Sequence, residues 1–87
     1  MADVRVKRAT VAGARIVKLV VGMDRLPDRA IDRDTAIRWM RDGHSFVPVT
    51  PAGRGAALQL VEVGEGHVIR TDNATVDADQ LPSLPEA

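Results

Sequence analysis

The chain predicts an α+β fold: one small domain with an antiparallel-rich sheet of about five short strands and one short helix, in the order β-β-α-β-β-β. Three observations carry that prediction. Val4 and Val6 alternate with charged residues, and a strongly β-branched run follows at residues 15–21. A capped amphipathic stretch follows between Asp32 and Gly43. Near the end, Gly64-Glu65-Gly66 separates two apolar runs of strand character. The length, 87 residues, suits one modest hydrophobic core.

The elements follow in order. Val4 and Val6 alternate with charge as in a half-buried strand. Lys7-Arg8 breaks the phase, and Ala9 and Val11 resume on the opposite parity, which predicts a bulge or bend near residue 8. Ala12-Gly13-Ala14 reads as a turn. Residues 15–21 form the most β-branched run, with Val17, Leu19, Val21 and Met23 on one parity as the expected central core stripe. Residues 22–30, which contain Leu26-Pro27, read as a polar connection. Asp32 is a good N-cap, Asp34 suits the positive end of the helix dipole, and Gly43 is a C′ stop. Around that helix Ala36, Ile37 and Met40 share one arc with Trp39 at its margin, opposite Asp34, Arg38, Arg41 and Asp42. A helix of under three turns is unstable alone, so this arc must pack on the sheet.

Phe46, Val47 and Val49 form the next strand, in which Pro48 implies an edge position or a bulge. Pro51-Ala52-Gly53-Arg54-Gly55 reads as a turn. Residues 57–63 and 67–71 are the last two strands, joined by the Gly64-Glu65-Gly66 hairpin. The domain is expected over residues 1–80. Residues 81–87 form an extended C-terminal tail, whose Leu81 and Leu84 lie across the core edge. The core is expected to centre on Val17, Leu19, Val21, Ile37, Met40, Phe46, Leu60, Val61 and Ile69.

Two stretches carry a resemblance. One is the helix, Arg33-Asp34-Thr35-Ala36-Ile37-Arg38-Trp39-Met40-Arg41-Asp42-Gly43. The other is Val68-Ile69-Arg70-Thr71-Asp72 followed by Asp79-Gln80-Leu81-Pro82-Ser83-Leu84-Pro85. Together, over about residues 14–85, they resemble a family of small bacterial proteins of unknown function. That family has a strand, a short helix ending in Gly, a Tyr-Leu-Arg-Thr strand and an Asp-Asn-Leu-x-x-Leu-Pro ending. Val68 stands where the family tends to have an aromatic, and Gln80 replaces its Asn. The resemblance supports the fold and implies no activity.

Composition excludes several mechanisms. The chain has no cysteine, so a disulfide framework, a thiolate zinc site and a thiol nucleophile are ruled out. No apolar run approaches the roughly 18–20 residues that span a bilayer, and Met1 leads into charged residues with no apolar h-region. A cytoplasmic bacterial protein with no membrane partner is the expectation. Ser45 and Ser83 lie outside any Gly-x-Ser-x-Gly elbow, and spacing gives no support to a Ser45–His67–Asp72 triad. His44 and His67 lack the close spacing that organises zinc. Asp72, Asn73, Asp77 and Asp79 lack the spacing of a calcium loop. Gly53-Arg54-Gly55 precedes a strand rather than the helix a phosphate cradle needs. No catalytic residue, cofactor or metal is expected, and the chain is not expected to be an enzyme.

Charge carries the remaining signal. The whole chain is neutral, yet residues 1–41 hold ten basic and five acidic side chains, and residues 42–87 hold two and seven. The split can reflect a basic face for an anionic partner, attraction between the halves of one fold, or head-to-tail self-association. The intramolecular reading is favoured, because a small domain brings its halves together. The candidate basic face is Arg5, Lys7, Arg8, Arg15 and Lys18. A nucleic-acid role is not favoured: no tyrosine is present, the single Phe and Trp sit at core positions, and the pI is near 6.7. Arg70, in a half-buried strand before an acidic loop, is expected to pair with Asp77 or Asp79 and pin the tail, or else to offer an exposed anion contact. The functional expectation is a non-catalytic protein-interaction module that binds another protein or itself through a sheet edge. The alternative is a phosphate-contacting nucleic-acid accessory.

Overall fold

The computed structural model describes residues 3–87; the first two positions of the expected domain lie outside the described residues. The elements are β1 (Asp3–Ala12), β2 (Arg15–Met23), β3 (Leu26–Asp32), α1 (Arg33–Arg41), β4 (Ser45–Thr50), β5 (Gly53–Arg54), β6 (Gln59–Val63) and β7 (Gly66–Arg70). β1 to β5 form one sheet in the order β3-β2-β1-β4-β5, and β6 and β7 form a separate hairpin. All pairings are antiparallel except β1 with β4. The α+β class, an antiparallel-rich sheet of five strands and the single helix are as expected. The membership and order differ: β3 and β5 are additional strands, and the last two expected strands pair apart from the sheet as β6 and β7.

β-Bulges decide which side chains reach the core. In the β1–β2 ladder Val6 faces Val21 and Arg8 faces Val20, so Lys7 is an extra residue. The alternation therefore resets, and Val4, Val6 and Ala9 are all buried. This is the phase break expected near residue 8. A second bulge lies on β2, where Lys18 faces Thr10 and Ile16 faces Val11. Val17 is the extra residue there and is 50% exposed. The core stripe on β2 is thus Ile16, Leu19 and Val21, and the expected inclusion of Val17 is corrected. Strict alternation holds only until a bulge intervenes.

β3 replaces the connection expected over residues 22–30. Of its side chains only Ile31 is buried, so an apolar periodicity is nearly absent. A third irregularity places Pro27 and Asp28 against Gly22, because Met23 faces Leu26 and Val21 faces Arg29. The Pro27 position is tolerated at a bulge on the sheet's outermost strand.

The helix is fixed by local chemistry at both ends. Asp32 Oδ1 accepts from the Thr35 amide at 2.8 Å, satisfying one of the unpaired N-terminal donors. At the other end the Gly43 amide donates to Met40 O and the His44 amide to Trp39 O, both at 3.1 Å. This is a Schellman motif, with Gly43 at φ 96°. The Trp39 and His44 rings meet edge-on at 6.2 Å, supplying the side-chain contact that accompanies it. Ala36 is fully buried and lets the helix approach the sheet, while Ile37, Trp39 and Met40 pack around it.

The core joins the covered face of the sheet to the helix and to the β6–β7 hairpin through Phe46, Leu58 and Ile69. Each such side chain contributes about 1.5–3 kcal/mol by leaving water. Leu60 packs at the margin of this core; Val61 is only half-buried and stands outside it, correcting its expected place. Residues 81–87 hold no helix or strand beyond a single bridge at Glu86. Leu81 and Leu84 pack on the core, and the Ala9 amide donates to Pro85 O at 3.0 Å.

Candidate functional site

The most heavily bonded side chain among the described residues is Asp79, which ties four segments together. Its Oδ2 accepts from the Ile16 amide at 2.8 Å and Arg33 Nε at 2.9 Å. Its Oδ1 accepts from the Ile69 amide at 2.9 Å and from the outer Arg33 nitrogen at 3.1 Å. Its own amide donates to Ala14 O at 3.0 Å. The carboxylate is 1% exposed and the Arg33 side chain 23%. Burial pushes the Asp79 carboxyl up, but the Arg33 fork, the two amides and the guanidinium charge outweigh that and hold it below the usual carboxylate range. The same hydrogen bonds raise Arg33 against the opposing effect of burial. Such a carboxylate is fully saturated and is held ionised, which suits a structural clamp and leaves no lone pair for proton transfer.

Arg70 has a different partner from the one expected. It grips Asp72 in a fork, Nε to Oδ1 at 2.6 Å and the terminal nitrogen to Oδ2 at 3.1 Å, and donates to Ala78 O at 2.8 Å. Asp72, two residues along, reaches the guanidinium by a tight local turn, so Asp79 goes to Arg33 and Asp77 to Arg15. Arg70 still ties the loop of residues 72–78 to the hairpin, through Ala78 O. The Asp72 bonds raise the Arg70 guanidinium, and the same bonds lower the Asp72 carboxyl. The tail is held at Gln80 as well: its amide donates to Ile69 O at 2.8 Å, and its side-chain oxygen accepts from the Thr71 amide and hydroxyl.

The candidate basic face is substantially neutralised. Arg5 pairs with Asp24 at 2.9 Å, Lys7 with Asp28 at 3.0 Å, and Arg15 with Asp77. Arg8 donates to Glu86 O at 3.3 Å. Lys18 lies exposed on β2, facing Thr10 on one side and Asp32 on the other. Lys7 crosses Gly22 to reach Asp28, and a Cβ there would stand 2.8 Å from Asp28 Oδ1. Asp24 in the turn between β2 and β3, and Asp28 on β3, thus deliver two of the carboxylates that quench this face.

A cleft of about 520 Å³ opens between the tail and the β1–β2 hairpin, lined by Ala9, Val11, Ile16, Leu81, Pro82 and Leu84 with Asp79, Gln80 and Glu86. Of its polar members, Asp79 is the saturated clamp and Gln80 is engaged with Thr71 and Ile69, and the rest of the lining apart from Glu86 is apolar. Among the described residues no three His, Asp or Glu side chains converge to hold a metal ion, and no helix is long and apolar enough to cross a membrane.

The strand edges differ in how they are protected. β7 is closed on its outer side, where His67 O accepts from Arg33 at 2.7 Å and Ile69 is bonded by Asp79 and Gln80. β4 is closed by residues 55–58, whose Gly55 and Leu58 amides donate to Pro48 O and Phe46 O. Pro48 therefore points its missing donor away from β1, toward this outer side. β1 beyond Val6 receives the tail, with Ala9 bridging Glu86 in parallel. β5 has only two residues. β3 is outermost but carries Pro27, Asp28 and Arg29, the devices by which natural sheets protect an edge. Among the described residues β6 is different: it has no proline, its single charge is Glu62, and no hydrogen bond reaches its outer side. Sequence reasoning singled out Pro48 as the edge marker and missed β6, whose lack of protection is visible in Gln59-Leu60-Val61-Glu62-Val63. No family model, curated protein or solved structure matches this chain.

Proposed function

We propose that this protein is a non-catalytic protein-interaction module that pairs with an extended strand at the open edge of β6. The observation behind the proposal is the contrast among the edges: the others are covered, shortened or guarded, and β6 alone among the described residues is apolar and bare. Strand addition draws affinity from main-chain hydrogen bonds and specificity from alternate side chains. The same proposal places the protein in a bacterial cytoplasm, a setting with which a cysteine-free chain is compatible.

Pairing of Arg5, Lys7 and Arg15 with carboxylates speaks against a phosphate-contacting role, since counterion release needs cations free to meet phosphates. Affinity capture from a cell lysate, with and without nuclease, tests the reading using wild-type and Glu62→Pro baits. A bound protein that survives nuclease and is lost with Glu62→Pro is the expected result. Capture abolished by nuclease would transfer the function to nucleic-acid binding. Capture unchanged by Glu62→Pro would remove β6 from the interface.

A further inference from the structure

We infer that the strand received by β6 is β6 of a second copy of this chain, giving a symmetric dimer with a continuous four-stranded sheet β7-β6-β6-β7. The inference rests on the interaction-module reading and names its partner.

The hairpin geometry fixes which groups are available. Val63 faces Gly66 across the two-residue turn Gly64-Glu65, and the pairs then run Glu62–His67, Val61–Val68, Leu60–Ile69 and Gln59–Arg70. On β7 the outward main-chain groups are those of His67 and Ile69, because these are the ones bonded by Arg33, Asp79 and Gln80. In an antiparallel ladder inward and outward groups alternate residue by residue. Their partners on β6, Leu60 and Glu62, therefore also point their N–H and C=O groups outward. No described residue bonds them.

These outward groups are self-complementary. A two-fold axis through Val61 sets Leu60 of one copy opposite Glu62 of the other, twice, and each pair exchanges both N–H···O bonds. Val61 then faces the second copy's Val61, and Gln59 faces Val63. No like charges meet, since the only charged side chain of β6 lies opposite a leucine. The same test fails at β3. There a two-fold that keeps the faces matched sets Arg29 against Arg29, Asp28 against Asp28, or Asp28 against Asp32. The neutral net charge of the chain imposes no long-range repulsion on association. A lone two-stranded sheet is also marginal, and pairing two hairpins makes four strands.

Sedimentation equilibrium of the purified chain tests the proposal, together with two substitutions and one cross-link. Wild type is expected to dimerise. Val61→Lys, which opposes two ammonium groups, is expected to weaken the dimer at least tenfold. Glu62→Pro is expected to do the same by deleting an outward donor while sparing the β6–β7 ladder. Directly opposed residues in a non-hydrogen-bonded pair have Cα atoms about 4.5 Å apart, within disulfide reach. Val61→Cys in this cysteine-free chain is therefore expected to form a disulfide dimer on mild oxidation, and Val17→Cys, exposed on β2, is not. Circular dichroism shows whether each variant is folded, and the cross-link answers even if Val61→Lys unfolds. A monomeric wild type whose Val61→Cys variant stays uncrosslinked overturns self-pairing, and so does a dimer indifferent to all three β6 changes. Loss of a different captured protein with Glu62→Pro would in that case keep the parent reading and replace its partner.

Discussion

At the scale of single residues, stability is concentrated in a few side chains that satisfy several segments at once. Removing the Asp79 carboxylate leaves the Ile16 and Ile69 amides without their acceptor and Arg33 with His67 O alone. Asp79→Ala is expected to cost about 3–5 kcal/mol in urea unfolding, the range for breaking a buried ion pair on one side. A loss under about 1 kcal/mol would contradict the clamp. Arg70→Ala is expected to lower the thermal midpoint by several degrees, and Arg70→Lys to recover little of it, because a lysine cannot form the fork to Asp72. An unchanged midpoint would mean that Arg70 does not hold the loop. Ala14 poses the opposite case. It occupies the left-handed region at φ 60° in the two-residue β1–β2 turn, where a Cβ is disfavoured by roughly 1–2 kcal/mol. Ala14→Gly relieves that strain and is expected to raise stability by about 0.5–1 kcal/mol, the remainder being lost to backbone entropy.

At the scale of elements, legibility followed the strength of local signals. The helix was readable because Asp32, Gly43 and the Ala36–Met40 arc all act within a dozen residues, where capping and periodicity are sequence-local. The hairpin of β6 and β7 was readable because Gly64-Glu65 dictates a tight turn, and Gly64 does take φ 59°. The bulge at Lys7 announced itself through a broken alternation within β1. The one at Val17 did not, because an uninterrupted β-branched run hides its own phase. β3 stayed hidden since an outermost strand with Ile31 as its single buried residue has no face to alternate. The Arg33–Asp79 clamp stayed hidden too: the two are 46 positions apart, and nothing in local sequence selects Arg33 over Arg70 as the partner. Gly22→Ala tests how rigidly the bulged elements fit. The added Cβ would meet Asp28 Oδ1 at 2.8 Å and Lys7 Cε at 3.0 Å, both near the ends of side chains free to move. The half-exposed pair is expected to part at a cost of about 1 kcal/mol or less. A larger loss would show that the Lys7–Asp28 contact positions the strands.

At the scale of the whole molecule, the split between a basic first half and an acidic second half is met inside the fold by two ion pairs, Arg15–Asp77 and Arg33–Asp79. Three of the six ion pairs among the described residues thus join the halves, with Arg54–Asp3 doing so in the opposite sense. This makes the fold's response to acid a collective property. The carboxyls of Asp32, Asp72 and Asp79 are all held below their ordinary values, by the Thr35 hydroxyl and amide, by Arg70, and by Arg33 with two amides. A carboxyl with a depressed folded-state pKa contributes stability that is present above its unfolded pKa of about 4 and is lost as pH falls through the folded value. Protonation also removes the charges opposing the twelve basic side chains, so repulsion grows in the same window. Urea midpoints measured from pH 7 downward are therefore expected to hold until about pH 4–5 and then fall steeply. Asp79→Asn lacks the titrating group. Its deficit against wild type is expected to be largest near neutrality and to shrink as pH falls below about 4 toward the depressed folded value of Asp79, at which wild type also comes to present a neutral side chain to Arg33. A deficit that stays constant across that range would assign the role of Asp79 to its hydrogen-bonding shape, and charge would have no part in it.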